Sequence, residues 1–537
     1  MKIRNRLKLG LTAALVLVLV PVLGAAPARA VDRASPVPAI AWHVCPAGSA
    51  AAVAGGFVCA TVTAPLDYRH LSGPKIKLAI VEHPATGSTD RGVIFVNPGG
   101  PGGQGTVQIP QWLGFFPKEM LRDFDIVSWD PRGVGSSTAV QCFPNQTAEG
   151  AFLGKYVYLP TRPAEQPAYI ARWREFGKIC EATNHALLEH VSTADSARDL
   201  NLLRVDLGQG KLDYLGVSYG TFLGATYANL FPGYVGRMVL DGNTAPDAVT
   251  NGGKSKPALS LSLRLGENSA VAKVLGAFLR ICGQNSASEC AFSAGSPAAT
   301  SAKWSALLAR LQQAPINLGS PFTYAELLNV AMADLDFVQP YTTPVTGGDF
   351  PGWSGMAQGL EQLWLARNQK ANAAGPATPA GDMTTPQRYS GAEQAYAIVC
   401  EDSPSPAPSA FDHQQHLVTA VGGVIGLPYL WEQDEPCATW PVHGVNTYSG
   451  PWNAHTSPIL VINNTNDPAT SLANAKAMTD ELGNARLLVV NSYGHTSFLN
   501  PSTCAQNYMT AYFLTDALPP RGTACSQNLP PFAAPVR

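Results

Sequence analysis

Three side chains far apart in the sequence have the types and settings of a hydrolytic relay: Ser218, Asp467 and His495. Ser218 lies in Gly216-Val217-Ser218-Tyr219-Gly220, a G-x-S-x-G match. A chain with 50 glycines yields roughly 0.3 such matches by chance, so the setting must carry the argument. A serine hydroxyl is a weak nucleophile until a base takes its proton, and the imidazole that serves as base needs a carboxylate to hold its productive tautomer. Asp467 stands in Asn464-Thr465-Asn466-Asp467-Pro468 and His495 in Tyr493-Gly494-His495-Thr496, each just past an apolar run, in the order Ser, Asp, His. The rate of such a relay should decline as His495 becomes protonated, near or below its reference value of about 6.5. Acyl transfer also needs donors for a developing oxyanion, worth about 3 kcal/mol each. The amide of Tyr219 is one expected donor, and the turn Pro98-Gly99-Gly100-Pro101-Gly102-Gly103 offers the other, with Gly100 the candidate. Each relay residue also has a plain reading: Ser218 as a buried structural serine, Asp467 as a turn residue before Pro468, His495 as a solvated loop histidine.

The elements that must position these groups can be read around them. Residues 75–82 alternate like a strand, and 92–97 and 124–130 read as buried strands ending at turn residues. A helix is expected over 192–207, with a Ser/Thr cap, Asp195 in its first turn, Leu200, Leu203 and Leu207 on one face and Gly208 beyond its end. Residues 212–217 then form a strand, 219–231 a helix stopped by Pro232, and 237–241 another strand. The strand-to-helix turn this creates at Ser218 is the sharp bend that lifts a nucleophile above a sheet edge. From 246 to 450 the texture becomes Ala/Ser/Gly/Pro-rich, with helical stretches at 302–312 and 324–335. The strand and helix rhythm resumes at 459–463, 471–482 and 485–491. The expected fold class is α/β, of the α/β-hydrolase type: a mostly parallel sheet covered by helices, interrupted by an inserted, mostly helical cap domain. Residues 31–245 and 451–537 are the two parts of the expected core, and 246–450 the expected cap.

Other motifs compete for the same residues. Gly100 to Gly105 fits G-x-G-x-x-G after a strand, and Asp130 ends the next strand at about the spacing of a ribose-binding acid. Against a dinucleotide site, Asn97 and Pro98 separate the motif from its strand, and a complete Ser-Asp-His set lies downstream. Gly253-Lys254-Ser255 is only a fragment of a P-loop, because Ala248 stands where the first glycine belongs. His413 and His416 could share a helix face as metal ligands, but without a third ligand a solvated face is the better reading. No cofactor and no metal is expected.

The N-terminus and composition set the compartment. Lys2, Arg4, Arg6 and Lys8 precede an apolar run that leads to Ala28-Arg29-Ala30, the pattern of a cleavable signal peptide over residues 1–30. Export to the cell exterior is expected, with no membrane segment after removal of the leader. A net charge of −2 with 14% charged residues gives no basic field for nucleic acid. The 10 cysteines suit an oxidising compartment, and none forms C-x-x-C. Paired in sequence order they give Cys45 with Cys59, Cys142 with Cys180, Cys282 with Cys290, Cys400 with Cys437 and Cys504 with Cys525. That is one of on the order of nine hundred connectivities, favoured only by its locality.

The stretch from Asp213 to Gly224, with Tyr227-Ala-Asn-Leu-Phe-Pro232 and Gly236-Arg-Met-Val-Leu-Asp-Gly242, resembles the secreted tripeptidyl aminopeptidases and their prolyl aminopeptidase relatives among the α/β-hydrolases. Asp130-Pro-Arg-Gly-Val-Gly-Ser136 and the segment from Cys437-Ala-Thr-Trp440-Pro441 to Cys525 are further points of similarity. Pro98 replaces the histidine usual in the prolyl enzymes, and Asn243-Thr-Ala-Pro246-Asp247 departs from the commoner Val-Val-Asp-Pro. The resemblance implies cleavage near a free peptide N-terminus, with peptides as partners, and carries over Ser218, Asp467 and His495. An aminopeptidase must pair the substrate ammonium with carboxylates. Glu267, Glu401 and Asp402 on the insertion are the candidates, each also readable as a solvated acid. Related esterases use the same relay, so an esterase or amidase acting on small acyl substrates is the alternative. Side-chain preference and oligomeric state are not legible.

Overall fold

The apolar runs expected as buried strands form the centre of one sheet in a computed structural model, which describes residues 40–533 apart from 47, 90, 256, 343–348 and 367–382. The expected leader at 1–30 lies outside the described residues. The strands are β1 (His43–Val44), β2 (Val58–Pro65), β3 (Lys75–His83), β4 (Val93–Asn97), β5 (Asp125–Trp129), β6 (Leu212–Val217), β7 (Val235–Asp241), β8 (Ile459–Asn466), β9 (Ala485–Tyr493) and β10 (Ala524–Ser526). They lie in the order β1-β2-β3-β5-β4-β6-β7-β8-β9-β10. The pairs from β1 to β5 by way of β2 and β3 are antiparallel, and all the rest are parallel. Ile94 and Val96 of β4 join an apolar cluster on one face, while Val93 and Phe95 join that on the other. Burial on both faces is what parallel strands require, and each large side chain so buried contributes roughly 1.5–3 kcal/mol.

Parallel register then brings the strand ends together. Val217 pairs with Asp241, Asp241 with Ile462, and Asn466 with Tyr493. The chain segments leaving β6, β7, β8 and β9 therefore emerge along one edge of the sheet, where α/β folds place their ligands. The strands outrun their expected ends here: β8 continues three residues past Asn463 and β9 to Tyr493, with an irregularity in their pairing between Asn464 and Asn466. Ser192 caps the helix Thr193–Asp206 through the Asp195 amide, as its sequence signal required, and Ser471 stands just before the helix Leu472–Leu482 and caps it through the Asn474 amide.

Between Asp241 and Ile459 the described chain contributes no strand to this sheet. It forms helices such as Glu267–Gln284, Pro297–Gln313, Tyr324–Asp334, Gly352–Leu365, Glu393–Asp402 and Phe411–Gly422. These share their apolar core with residues 134–191, including a helix Gln166–Leu188 that sequence reading did not anticipate. Trp173 of that helix packs on Tyr396 at 4.9 Å, and the Tyr169 hydroxyl donates to the Trp431 carbonyl at 2.8 Å. All five sequential cysteine pairs are bonded. Closing a loop of about 15 residues in this way stabilises by on the order of 3 kcal/mol.

Candidate active site

Ser218 stands at the junction of β6 and the helix Tyr219–Leu230 with φ 57° and ψ −126°. Such a conformation costs a non-glycine residue about 1–3 kcal/mol and persists only where its surroundings enforce it. They do so tightly. A Cβ on Gly216 would come within 2.4 Å of the Gly220 carbonyl oxygen, and one on Gly220 within 2.7 Å of the Asn97 carbonyl oxygen. Both flanking glycines are therefore required by the close passage of helix over strand. The Ser218 N–H donates to the Asp241 carbonyl at 2.9 Å, and the Ser218 carbonyl accepts from the amide and hydroxyl of Thr221.

Asp467 and His495 are brought together at the same sheet edge. His495 Nδ1 lies 3.0 and 3.1 Å from the two Asp467 carboxylate oxygens. A carboxylate only accepts, so Nδ1 carries the proton and Nε2 is left as the basic nitrogen. Asp467 is held by four further donors: the amides of Ala469 and Thr470 on Oδ1, and the Thr470 hydroxyl and Thr496 amide on Oδ2, at 2.7–3.0 Å. Asp241 fixes the other side. Its carboxylate accepts from the Ser497 amide and hydroxyl and from the Phe498 amide, while its carbonyl holds Ser218. The next residue, Gly242, passes so close that a Cβ there would lie 3.4 Å from His495 Cε1. Serine and imidazole thus flank the same Asp241-Gly242 corner.

Charge and burial at this corner act in opposite directions on the base. Burial lowers the His495 pKa, but the negative charge and hydrogen bonds of Asp467, followed by the charges of Asp336 and Asp241, outweigh it and raise the value to about 9. The expected titration near or below 6.5 is displaced upward because acids surround the ring. Asp241 itself is pushed up to about 6 by burial, against the three hydrogen bonds that favour its ionised form.

The glycine-rich turn supplies the opposite wall. Gly99 packs against the nucleophile so closely that a Cβ there would lie 2.9 Å from the Ser218 Cβ and 3.1 Å from the Tyr219 nitrogen. Its own amide is taken by Asn97 Oδ1 at 3.0 Å. The Gly100 amide has no acceptor among the described residues, and Tyr219, as the first residue of its helix, has no intrahelical acceptor. The Tyr219 N–H adjoins Ser218, and the Gly100 N–H belongs to the residue next to Gly99, which packs on Ser218. Asp130, the acid of the dinucleotide alternative, is fully buried and accepts from the Thr106 and Ser136 amides. It ties the turn to the core and faces protein instead of a ribose. His413 and His416 are exposed on one helix.

The three acids proposed for an amine differ in setting. Asp402 accepts from the Thr193 amide at 3.0 Å and from its hydroxyl, which also meets the Tyr219 hydroxyl, so it caps a helix; burial lifts it to about 7. Both Glu401 carboxylate oxygens are sealed from solvent without a geometrically formed hydrogen bond among the described residues, and burial with the charges of Asp402 and Asp195 keeps it well above the carboxylate range. Glu267, first in the helix Glu267–Gln284, is 9% exposed and accepts no hydrogen bond among the described residues. Burial and the charge of Asp434 lift it to about 8, while His495 and Arg264 pull the other way. Sequence reading missed the supporting residues Asp241, Thr470 and Asn500. For Asp241 a signal existed, an acid closing a buried strand; for the others none did.

Fold and site together define a serine hydrolase of the α/β-hydrolase type. Residues 424–525 match a family described as TAP-like protein. The chain is 28% identical over 488 residues to a tripeptidyl aminopeptidase of Streptomyces coelicolor, covering 88% of this chain and 84% of that protein. It is 29% identical over 490 residues to the serine protease Hip1 of Mycobacterium tuberculosis, covering 88% of each. A carboxylesterase B of the same organism is 28% identical over 484 residues, covering 87% of this chain and 86% of that protein. The protein is thus similar to tripeptidyl aminopeptidases and to Hip1 over most of its length.

Proposed function

We propose that the protein is an exported serine exopeptidase that releases short peptides, tripeptides foremost, from free N-termini through an acyl-enzyme on Ser218. The observation that carries this reading is the buried Asp467–His495 pair, with Nδ1 engaged and Nε2 free, at the sheet edge where Ser218 is held in its strained turn. His495 takes the Ser218 proton as the hydroxyl attacks the carbonyl. The amides of Tyr219 and Gly100 hold the oxyanion, and the imidazolium then protonates the leaving amine. Water, deprotonated by the same nitrogen, releases the acyl group.

The exopeptidase half rests on the relatives named as tripeptidyl aminopeptidase and serine protease and on Glu267. Glu267 is the acid best placed for a substrate ammonium, because its carboxylate accepts no hydrogen bond among the described residues and lies near enough to His495 for their charges to interact. The cap that limits substrate length is the insertion at 246–450, with the helix Gln166–Leu188 packed on it. Five disulfides support an oxidising, extracellular location, and no described helix is long and apolar enough to cross a membrane. A second reading, an esterase or amidase for small acyl groups, is favoured by the carboxylesterase B relative at equal identity. A panel of chromogenic tripeptides with free and blocked N-termini, beside simple esters, separates the two. Preference for the free amine supports the exopeptidase, and equal turnover of blocked peptides overturns it.

A further inference from the structure

The histidine is also held from a direction the relay does not use. The His495 N–H donates to the main-chain oxygen of Asp336 at 2.8 Å. The Asn500 side-chain amide donates to that same oxygen at 2.9 Å and to the His495 carbonyl at 2.8 Å, while Asn500 Oδ1 accepts from the Val338 amide at 2.9 Å. The Leu335 carbonyl accepts from the Trp353 indole, and that ring packs on Tyr493 with centroids 5.4 Å apart. Residues 335–338, which follow the helix Tyr324–Asp334 of the insertion, are thus strapped to the histidine loop 493–500. The strap fixes the Asp336 carboxyl in the same buried region. Its Oδ1 is sealed from solvent and has no hydrogen-bond partner among the described residues. Asp336 is half-buried with one carboxyl oxygen sealed and unpartnered, so what it can contribute at this place is its charge rather than a hydrogen bond.

We propose that Asp336 is a positioning residue which, as a second carboxylate contributed by the insertion, acts electrostatically on His495 and strengthens it as a base. The inference rests on the reading of His495 as the base for Ser218. The groups facing His495 are Asp467 after β8, Asp241 at the end of β7, Glu267 at the start of its helix, and Asp336. Tyr429 faces Asp336, Glu267 and Asp467, and Asp334 faces Asp336. Burial raises Asp336 to about 7, so it is ionised over the range in which His495, raised to about 9, exchanges its proton. Because Asp336 belongs to the insertion, the strength of the base depends on the insertion's being seated on the sheet edge. Asp467 orients the ring, whereas Asp336 makes no hydrogen bond to it.

The test is the pH dependence of inactivation by a small fluorophosphonate, which needs only the serine and its base. Asp336→Asn keeps the main-chain acceptor and removes the charge. The acidic limb should move down by about one pH unit, so the variant reacts faster than the wild type, relative to its own plateau, between about pH 7 and 9, where Asp336 is ionised and His495 exchanges its proton. Asp336→Glu should hold the limb near its original position, and Asp336→Ala, which also keeps the main-chain oxygen, should shift it as Asp336→Asn does. A limb that stays in place in Asp336→Asn or Asp336→Ala, with the plateau rate reduced, makes the residue merely structural and overturns the proposal. Absence of labelling in the wild-type protein would instead sink the serine-hydrolase reading itself.

Discussion

Replacing Asp467 by Asn probes the relay through its hydrogen-bond arithmetic. The Asp467 carboxylate receives five donors: the amides of Ala469, Thr470 and Thr496, the Thr470 hydroxyl and His495 Nδ1. An asparagine has one accepting end. If its oxygen keeps the Ala469 and Thr470 amides, its NH2 group faces the Thr496 amide and the imidazole. The hydroxyl can rotate to accept, but the Thr496 amide cannot, so one buried donor loses its partner at a cost of about 1–3 kcal/mol. The imidazole adapts by moving its proton to Nε2, the nitrogen that must be bare to act as base. In a relay of this kind that exchange of tautomer lowers kcat by roughly 10⁴-fold while the fold persists. The substitution also takes away the negative charge that does most to raise His495, so the imidazole pKa falls from about 9. The assay is kcat on a chromogenic ester and on a free tripeptide, with thermal unfolding measured in parallel. A variant that retained more than about a tenth of wild-type kcat, while His495→Ala was inactive, would refute the assignment of Asp467.

Other outcomes follow from the same geometry. Because the base is raised to about 9, kcat/KM should decline as pH falls through the alkaline range, and a profile flat from pH 9 down to about 6.5 would contradict the acid cluster around His495. Stability should run the other way: Glu267, Asp336, Asp241 and His495 are all raised in the fold, so the native state binds more protons than the unfolded chain from about pH 4 upward. The stability these groups confer is present at the acid end and is lost as pH rises through their folded values, so Tm should fall between pH 5 and 9. Ser218→Gly should abolish turnover yet raise stability by about 1 kcal/mol by releasing the positive φ, read by denaturant unfolding. Glu267→Gln should lower kcat/KM for free tripeptides roughly 10–100-fold through loss of a charged partner, and much more than for a neutral ester; an equal loss on both would remove Glu267 from amine binding.

Legibility followed the range of the interactions involved. The strand Leu212–Val217 and the turn at Ser218 were readable because an apolar run, paired glycines and a following helix are local signals, and the helix cap at Ser192 likewise. The strand Val58–Pro65, half exposed and at the antiparallel side of the sheet, carried a weaker pattern. The helix Gln166–Leu188 has a proline as its second residue and mixes aromatic, charged and small residues, so its buried stripe becomes clear only against Trp431 and Tyr396. The contacts made by long-range supports left no trace, even where, as at Asp241, the residue itself closes a buried strand. Asp241 reaches Ser497 and Phe498 more than two hundred positions away, and Asp336 meets His495 through a main-chain oxygen, which no residue type advertises. Ser218, Asp467 and His495 could be chosen by their own settings, whereas the tuning of His495 depends on acids that only the folded chain assembles.

The most direct measurement is the mass-spectrometric mapping of a fluorophosphonate adduct on the purified protein. The account predicts a single phosphonyl group on the peptide that carries Ser218, formed more slowly as pH falls and greatly slowed in Asp467→Asn. An adduct on a different serine, or labelling at Ser218 that ignored both pH and the Asp467 substitution, would contradict it.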